Sequence, residues 1–419
     1  MINILKLELK RMLKNKNNIL ILSMGLVLTI LLITYVILIQ STNIIDSTGS
    51  YKTISGLKAV KYDAEIQNKL EGEVTNEILL DTLNRYTILY SKYGENIPLD
   101  IYTEELGAYI EFINILPYSF SNFGNRMDNQ ETLTIDKLTE DEVSNYYTQL
   151  SKNQSYELIN YYKLPEKAQN YAKNMDNKVK KPFYFSSFTG WDTVLEFSNI
   201  LIICICILGC ILIANVYSKE YKNGSDDIMR CTKYGKKHLA ISKLISSNLL
   251  ASLLYIICMT LFYGIAYALL NRNGLKTSIQ FLSPLSPVPL TFEKCIFIII
   301  IFGLITVLSM VNFTLFLSSK YENSTYIISL ALIVLLAPIF IRTLIDANLN
   351  NASNIIKFLV NILPSSGTRI YYELINELNL FQIGSLTIWS PYIILATSVL
   401  TLIFFSIFTV KSYINHEAI

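Results

Sequence analysis

Six apolar stretches dictate what this 419-residue chain can fold into, because none of them contains Asp, Glu, Lys, Arg or His. They run from Ile19 to Ile39, Phe197 to Tyr217, Leu244 to Leu270, Cys295 to Ser319, Thr325 to Ile341 with its flanks, and Leu386 to Val410. A helix rising about 1.5 Å per residue needs roughly 20 apolar residues to cross about 30 Å of hydrocarbon. A charge at mid-bilayer costs roughly 2.5 to 3.5 kcal/mol on insertion scales, so charge-free runs of this length are what a bilayer demands. Helices of a soluble core show interrupted amphipathic stripes instead. The expected fold class is therefore an all-α membrane protein with six transmembrane helices.

Lys and Arg in the short flanks set the expected orientation. Lys6, Lys10, Arg11, Lys14 and Lys16 precede the first run against one acid, Glu8. After the second run come Lys219, Lys222, Arg230, Lys233, Lys236, Lys237 and Lys243. Both flanks are expected in the cytoplasm, and six crossings return the C-terminus to that side. The segment 40–196 then lies outside a plasma membrane. It carries 15 Lys plus Arg against 23 Asp plus Glu, a balance of −8 that the overall +2 conceals.

Residues 1–18 read as an amphipathic interfacial helix, with Leu5, Leu9, Met12 and Leu13 on one face and Lys6, Lys10 and Lys14 at four-residue spacing. The run 19–39 is too long for a signal-peptide core and lacks a small-x-small cleavage site, so it reads as an uncleaved anchor. The extracellular segment holds no cysteine and must fold without disulfides. Its pattern is mainly helical. Glu73 to Tyr93 places Ile78, Leu79, Leu83, Tyr86 and Tyr90 on one stripe behind a Thr75 cap, and a second cap stands at Thr139, leading to Tyr146, Tyr147 and Leu150. The many Tyr residues suit a helical core and rim, or a ligand surface.

Beyond the cytoplasmic loop 218–243, residues 244–419 hold four further spans. Pro284, Pro287 and Pro289 favour an extended path between the third and fourth. Asn354 to Pro364 is too short to span and reads as a re-entrant or interfacial half-helix, with a second helix from Gly367 to Phe381.

Catalytic chemistry is scarce. His238 and His416 are the two histidines, both on the expected cytoplasmic side, so no external His-based triad or zinc site can form. Cys204, Cys206 and Cys210 match no standard metal spacing and read as packing in lipid. No G-x-x-x-x-G-K-[ST] phosphate loop is present, because Gly235-Lys236 lacks the upstream Gly. The spans also lack the ionised groups of proton- or sodium-coupled carriers. A carrier built this way takes its energy from a partner.

The loop supplies a place for that partner to push. Glu220, Gly224, Ser225, Thr232, Gly235, Lys236 and Lys243 resemble the coupling segment of type-2 ABC exporter permeases (the ABC-2 family). There the pattern is Glu, Gly four later, Ser or Thr next, then Thr or Ser, Gly and Arg before a Lys that opens the third span. Lys236 replaces the usual Arg, and Arg230 occupies a usually apolar position. Six spans, a leading amphipathic helix, a large insert after the first span and short helices before the last extend the resemblance over nearly the whole chain.

The resemblance implies a transmembrane subunit of an ATP-driven exporter, not itself an enzyme. It would pair with a second permease copy or a related permease and sit on ABC ATP-binding subunits. ATP and Mg would be held by those subunits, with no cofactor on this chain and no nucleic acid among its partners. Glu220 to Lys237 would form the coupling helix, with Glu220, Gly224, Ser225, Thr232, Gly235, Lys236, Lys237 and Lys243 as coupling residues. Asn215 and Asn312, the most polar side chains within the spans, are weak pathway candidates, and interhelical hydrogen bonding is their other reading. A rival from another class is a membrane receptor or immunity protein whose external domain binds a peptide without transport.

Overall fold

The computed structural model describes residues 2–45, 51–120, 134–348, 354–384 and 386–416. The chain opens with α1 (Ile2–Lys14) and turns at Asn15 into the apolar α2 (Lys16–Leu38). The Asn15 side chain accepts the Asn17 backbone N–H at 3.1 Å and so separates the two helices with an N-cap. The insert follows as an antiparallel hairpin of β1 (Ser41–Ile45) and β2 (Tyr51–Ser55), then α3 (Leu57–Gln67), β3 (Gly72–Glu73), α4 (Asn76–Tyr93), α5 (Leu99–Leu106) and α6 (Ile110–Phe120). It ends with α7 (Glu140–Ser144), α8 (Tyr146–Asn160), α9 (Glu166–Asp176) and β4 (Tyr184–Phe185), which pairs with β3.

α10 (Trp191–Ile213) and α11 (Asn215–Lys222) form one apolar unit of 32 residues. The short α12 (Ser225–Arg230) leads into α13 (Lys237–Leu269), α14 (Phe292–Ser318) and α15 (Ser324–Asn348). α16 (Asn354–Ile362), α17 (Ile370–Ile375) and a hairpin of β5 (Leu380–Ile383) and β6 (Leu386–Trp389) precede α18 (Ser390–Ile414). Six helices are long and apolar enough to cross a membrane: 16–38, 191–222, 237–269, 292–318, 324–344 and 390–414. The protein is an all-α membrane protein with a leading amphipathic helix and a mainly helical insert.

α14 is the centre of the bundle and packs against α10, α13, α15 and α18. Its Ile299, Val307, Met310, Val311 and Leu315 are fully buried. A small residue lets the backbones close: a Cβ on Gly303 would stand 2.4 Å from the Tyr255 hydroxyl and 2.7 Å from Ile202 Cδ1. α2 and α18 lie at the edge, with Leu20, Val27, Leu31, Leu400, Phe404 and Ile407 facing outward, as lipid-facing side chains do.

In the insert, Thr75 caps α4 and Leu79 and Leu83 point into the core, while Ile78, Tyr86 and Tyr90 are half-buried. Thr139 and Glu142 form a complete capping box at α7. Tyr146 is buried against Ser119, and the Tyr147 hydroxyl donates to the Val74 carbonyl at 2.6 Å. Tyr146 is core, and the half-buried Tyr147 packs against it.

The insert is fastened to the bundle. Phe112, Phe185, Phe281, Phe188 and Phe292 form a run of ring contacts with centroids 4.9 to 6.0 Å apart, passing from α6 to the start of α14. Beside it the Trp191 Nε1–H donates to the Asn271 carbonyl at 2.7 Å, and the Asn271 amide donates to the Ser187 carbonyl at 2.8 Å. Thr277 donates to the Ser186 carbonyl and accepts the Ser186 N–H. The proline-bearing connection that carries Asn271 and Thr277 runs through 3₁₀ turns at Arg272–Lys276 and Ile279–Phe281.

Three boundaries differ from the sequence expectation. The second and third membrane helices reach into the 218–243 loop, so the non-helical chain between them shrinks to the turns around α12. Residues 386–389 are strand, and the last membrane helix starts at Ser390, where Pro391 favours a first turn and disfavours helix before it. Gly367 to Phe381 is not one helix. Gly367 sits in a 3₁₀ turn against α14, where a Cβ would lie 2.0 Å from Thr306 Oγ1. After α17, Glu377 draws in both Arg342 and Arg369, and Asn379 donates to Glu373 and Glu377, which bends the chain into the β5–β6 hairpin.

Candidate functional site

The coupling-type residues gather at the end of the bundle that carries α1 and the C-terminal end of α18. The second membrane helix breaks at Ala214, and Ser318 of α14 fills the break. Its hydroxyl donates to the Ala214 carbonyl at 2.8 Å and accepts the Tyr217 and Ser218 N–H groups at 3.2 Å. A side chain inserted into the ladder in this way marks a bend. Below it α11 carries Glu220 on its buried face and Lys219 and Lys222 on its exposed face.

Glu220 is the hub. Its carboxylate pairs with the fully buried Lys243 of α13 and accepts from Arg11 of α1 at 2.9 Å. Lys243 also donates to the Val216 carbonyl at 3.2 Å, and its ammonium lies over the Tyr217 and Tyr413 rings. Arg11 makes a further pair with Glu8 at 2.7 Å. Burial pushes the Glu8 carboxyl above its ordinary value, while Arg11 and Lys243 pull it back. Two acids and two bases from α1, α11 and α13 thus balance here, with Glu8, Glu220 and Lys243 buried and Arg11 closing the cluster from the surface.

Gly224 and Gly235 have conformational roles. Gly224 stands in the left-handed region, φ 64°, at the turn from α11 to α12. A Cβ on Gly235 would come 1.6 Å from the Met229 carbonyl oxygen, so only glycine lets the loop fold back on α12. The Thr232 hydroxyl donates to that same carbonyl at 2.7 Å, and Ser225 is half-buried.

α12 is held from inside and presents its other face. The Arg230 guanidinium donates to the Tyr413 and Ile414 carbonyls at 2.8 and 3.1 Å, satisfying the open end of α18. Asp226 is buried 4.0 Å from His416, whose ring stacks on Tyr221 with centroids 3.9 Å apart. On the opposite side Ile228 is 75% exposed, with Asp227, Thr232, Lys233, Lys236 and Lys237 exposed around it.

Two sequence assignments change here. Glu220 and Lys243 are turned inward as each other's partners, so they brace this end of the bundle and do not present an exposed face. The stretch from Glu220 to Lys237 is not a single helix: Glu220 lies in the last turn of α11, which ends at Lys222, α12 covers Ser225–Arg230, and Lys237 opens the third span. Glu8 and Arg11 were missed as site residues, although a lone acid one turn before an arginine in a basic segment signals a buried partner. Arg230, read from sequence as a flanking positive charge and a departure from the family pattern, is the clamp on the last span.

The pathway candidates separate. Asn312 is fully buried and exchanges hydrogen bonds with Asn248 of α13 at 2.7 and 3.2 Å, while Ser406 of α18 donates to it at 2.9 Å. It ties three helices together. Asn215 is exposed on the outer face of α11. Of the cysteines, Cys206 and Cys210 are buried among the helices, where Thr314 donates to Cys210 Sγ at 3.3 Å.

No known protein family matches this chain, and no curated protein matches it.

Proposed function

We propose that this chain is the membrane subunit of an ATP-driven ABC exporter of the type-2 permease class, energised by a separate ATP-binding subunit. The observation that carries the reading is α12: a short helix with an exposed Ile228 in a basic rim, clamped by Arg230 to the last membrane helix and joined through Glu220 to the first turns of the third. A push on Ile228 reaches α18 through the Arg230 guanidinium and reaches α13 and α1 through the Glu220 cluster. Two-state tilting of packed helices needs this kind of rigid linkage. ATP and Mg belong to the partner. The basic rim lies in the cytoplasm by the distribution of Lys and Arg, which puts the acidic insert outside. A second copy or a related permease would complete the passage against the apolar outer faces of the bundle.

Purification from gently solubilised membranes of the host tests the proposal. The expected result is a co-purifying ABC ATPase that is lost from Ile228→Asp while that variant keeps the wild-type melting temperature. A receptor without transport would purify without ATPase, and Ile228→Asp would leave its partners unchanged.

A further inference from the structure

A cavity of about 420 Å³ opens where the insert meets the start of α10, a size typical of small-ligand clefts. Three carboxylates from three elements line it: Asp63 of α3, Glu111 of α6 and Asp192 of α10. No Lys, Arg or His lines it. Thr42 bonds to Asp63 and Asn114 to Glu111, but no cation faces the three acids among the described residues. The charges that act on Glu111 are those of Asp192 and Asp63, both repulsive.

Gln67 adds an observation independent of the acids. It is 5% exposed and lines the same cavity, and its Oε1 is buried with no hydrogen-bond donor among the described residues. Buried acceptors are rarely left this way unless something donates to them. The Gln67 oxygen thus adds an unanswered acceptor to the three carboxylates. Tyr62, Tyr102 and Phe188 supply aromatic wall, which suits a cation with an apolar body. The acids are not gathered as metal ligands, since no group of three His, Cys, Asp or Glu stands close enough to hold an ion among the described residues.

We propose that this cavity binds an organic cation, an ammonium or guanidinium group carried by a small molecule or by a basic peptide side chain. Its several N–H donors answer the Gln67 oxygen and the carboxylates together, and its charge supplies the missing partner. Burial pushes Asp63 up to about 6, and burial together with repulsion from Asp192 and Asp63 pushes Glu111 to about 7, as expected of carboxylates whose counter-charge arrives with a ligand. The inference goes beyond the transport reading and does not rest on it.

Calorimetric titration of the full chain in lipid nanodiscs at pH 8 tests it, with spermidine, a capped Ala-Arg-Ala tripeptide and calcium chloride as probes. The expected result is 1:1 submillimolar binding of spermidine or the tripeptide, weakened at least tenfold in both Asp63→Asn and Glu111→Gln. Which of the two organic probes binds identifies the source of the cation. Both variants remove repulsion, so their unliganded melting temperatures should equal or exceed wild type, which separates a lost site from a lost fold. Calcium binding in place of the organic cations, no binding of either, or affinities unchanged in both variants would overturn the proposal.

Discussion

Glu220 and Lys243, 23 residues apart, meet in an ion pair whose side chains are 8% and 0% exposed. A buried pair is costly to break from one side, because the remaining charge has no solvent. Lys243→Met or Glu220→Gln alone should destabilise the protein by about 3 to 5 kcal/mol. The double variant should lose clearly less than the sum, as coupled neighbours do. Thermal unfolding in mild detergent would show this, and strictly additive losses would remove the pair from the account.

Two glycines should respond in opposite ways. Gly235→Ala drives a methyl into the Met229 carbonyl at 1.6 Å, whereas Gly264 has nothing within 4 Å of its would-be Cβ. We expect Gly235→Ala to lower stability by about 2 kcal/mol or more and to disorder α12. Gly264→Ala should leave it unchanged or raise it by about 0.5 to 1 kcal/mol. Limited proteolysis between Arg230 and Lys237 reads the first effect directly.

The acidic cavity gives the insert a pH-dependent stability. Asp63 and Glu111 have folded values of about 6 and about 7, above the ordinary carboxylate range, so the folded state holds these protons more tightly than the unfolded chain. Their stabilising protonation is complete below about pH 4 and is lost as pH rises to about 7. Without ligand, the melting temperature should rise on going from pH 8 to pH 5. Asp63→Asn with Glu111→Gln should flatten that slope, and a slope unchanged by the double substitution would refute the assignment.

Sidedness can be read from one cysteine. Of the six free cysteines, Cys231 alone is exposed, beside α12, and Cys204 is half-buried. A membrane-impermeant maleimide should leave Cys231 unmodified in intact cells and label it after permeabilisation. Labelling without permeabilisation would reverse the proposed orientation and remove α12 from the reach of a cytoplasmic ATPase.

Asn312 ties α14 to α13 and α18. Asn312→Leu should cost about 0.6 to 2 kcal/mol of bundle stability with the insert's own packing unaltered. A variant of undiminished stability would return Asn312 to the pathway candidates.

The six spans were legible because hydrocarbon tolerates few charges, and that constraint acts on residue type within one segment. The caps at Thr75 and Thr139 were legible for the same local reason. Partnerships across distance were not. Glu220 and Lys243 were recognised as motif members, but a sequence shows their spacing and not that one helix face turns each toward the other. Arg11 stands 209 residues from Glu220, and only packing of α1 against α13 brings it there. The β5–β6 hairpin was hidden because Leu386 to Trp389 continues an apolar run without a break, and short apolar runs fit strand or helix equally well. Gly384, at φ 60° in the turn, was the signal available.

Asn271 and Thr277, bonded to Ser186 and Ser187 as described above, bolt the far end of α13 to the insert. If α13 tilts as proposed, the insert must move with it, because the helix's other tip is bonded to a domain of more than a hundred residues. Under the proposed reading, the insert would be the part that answers, at the opposite end of the bundle, to a push at α12.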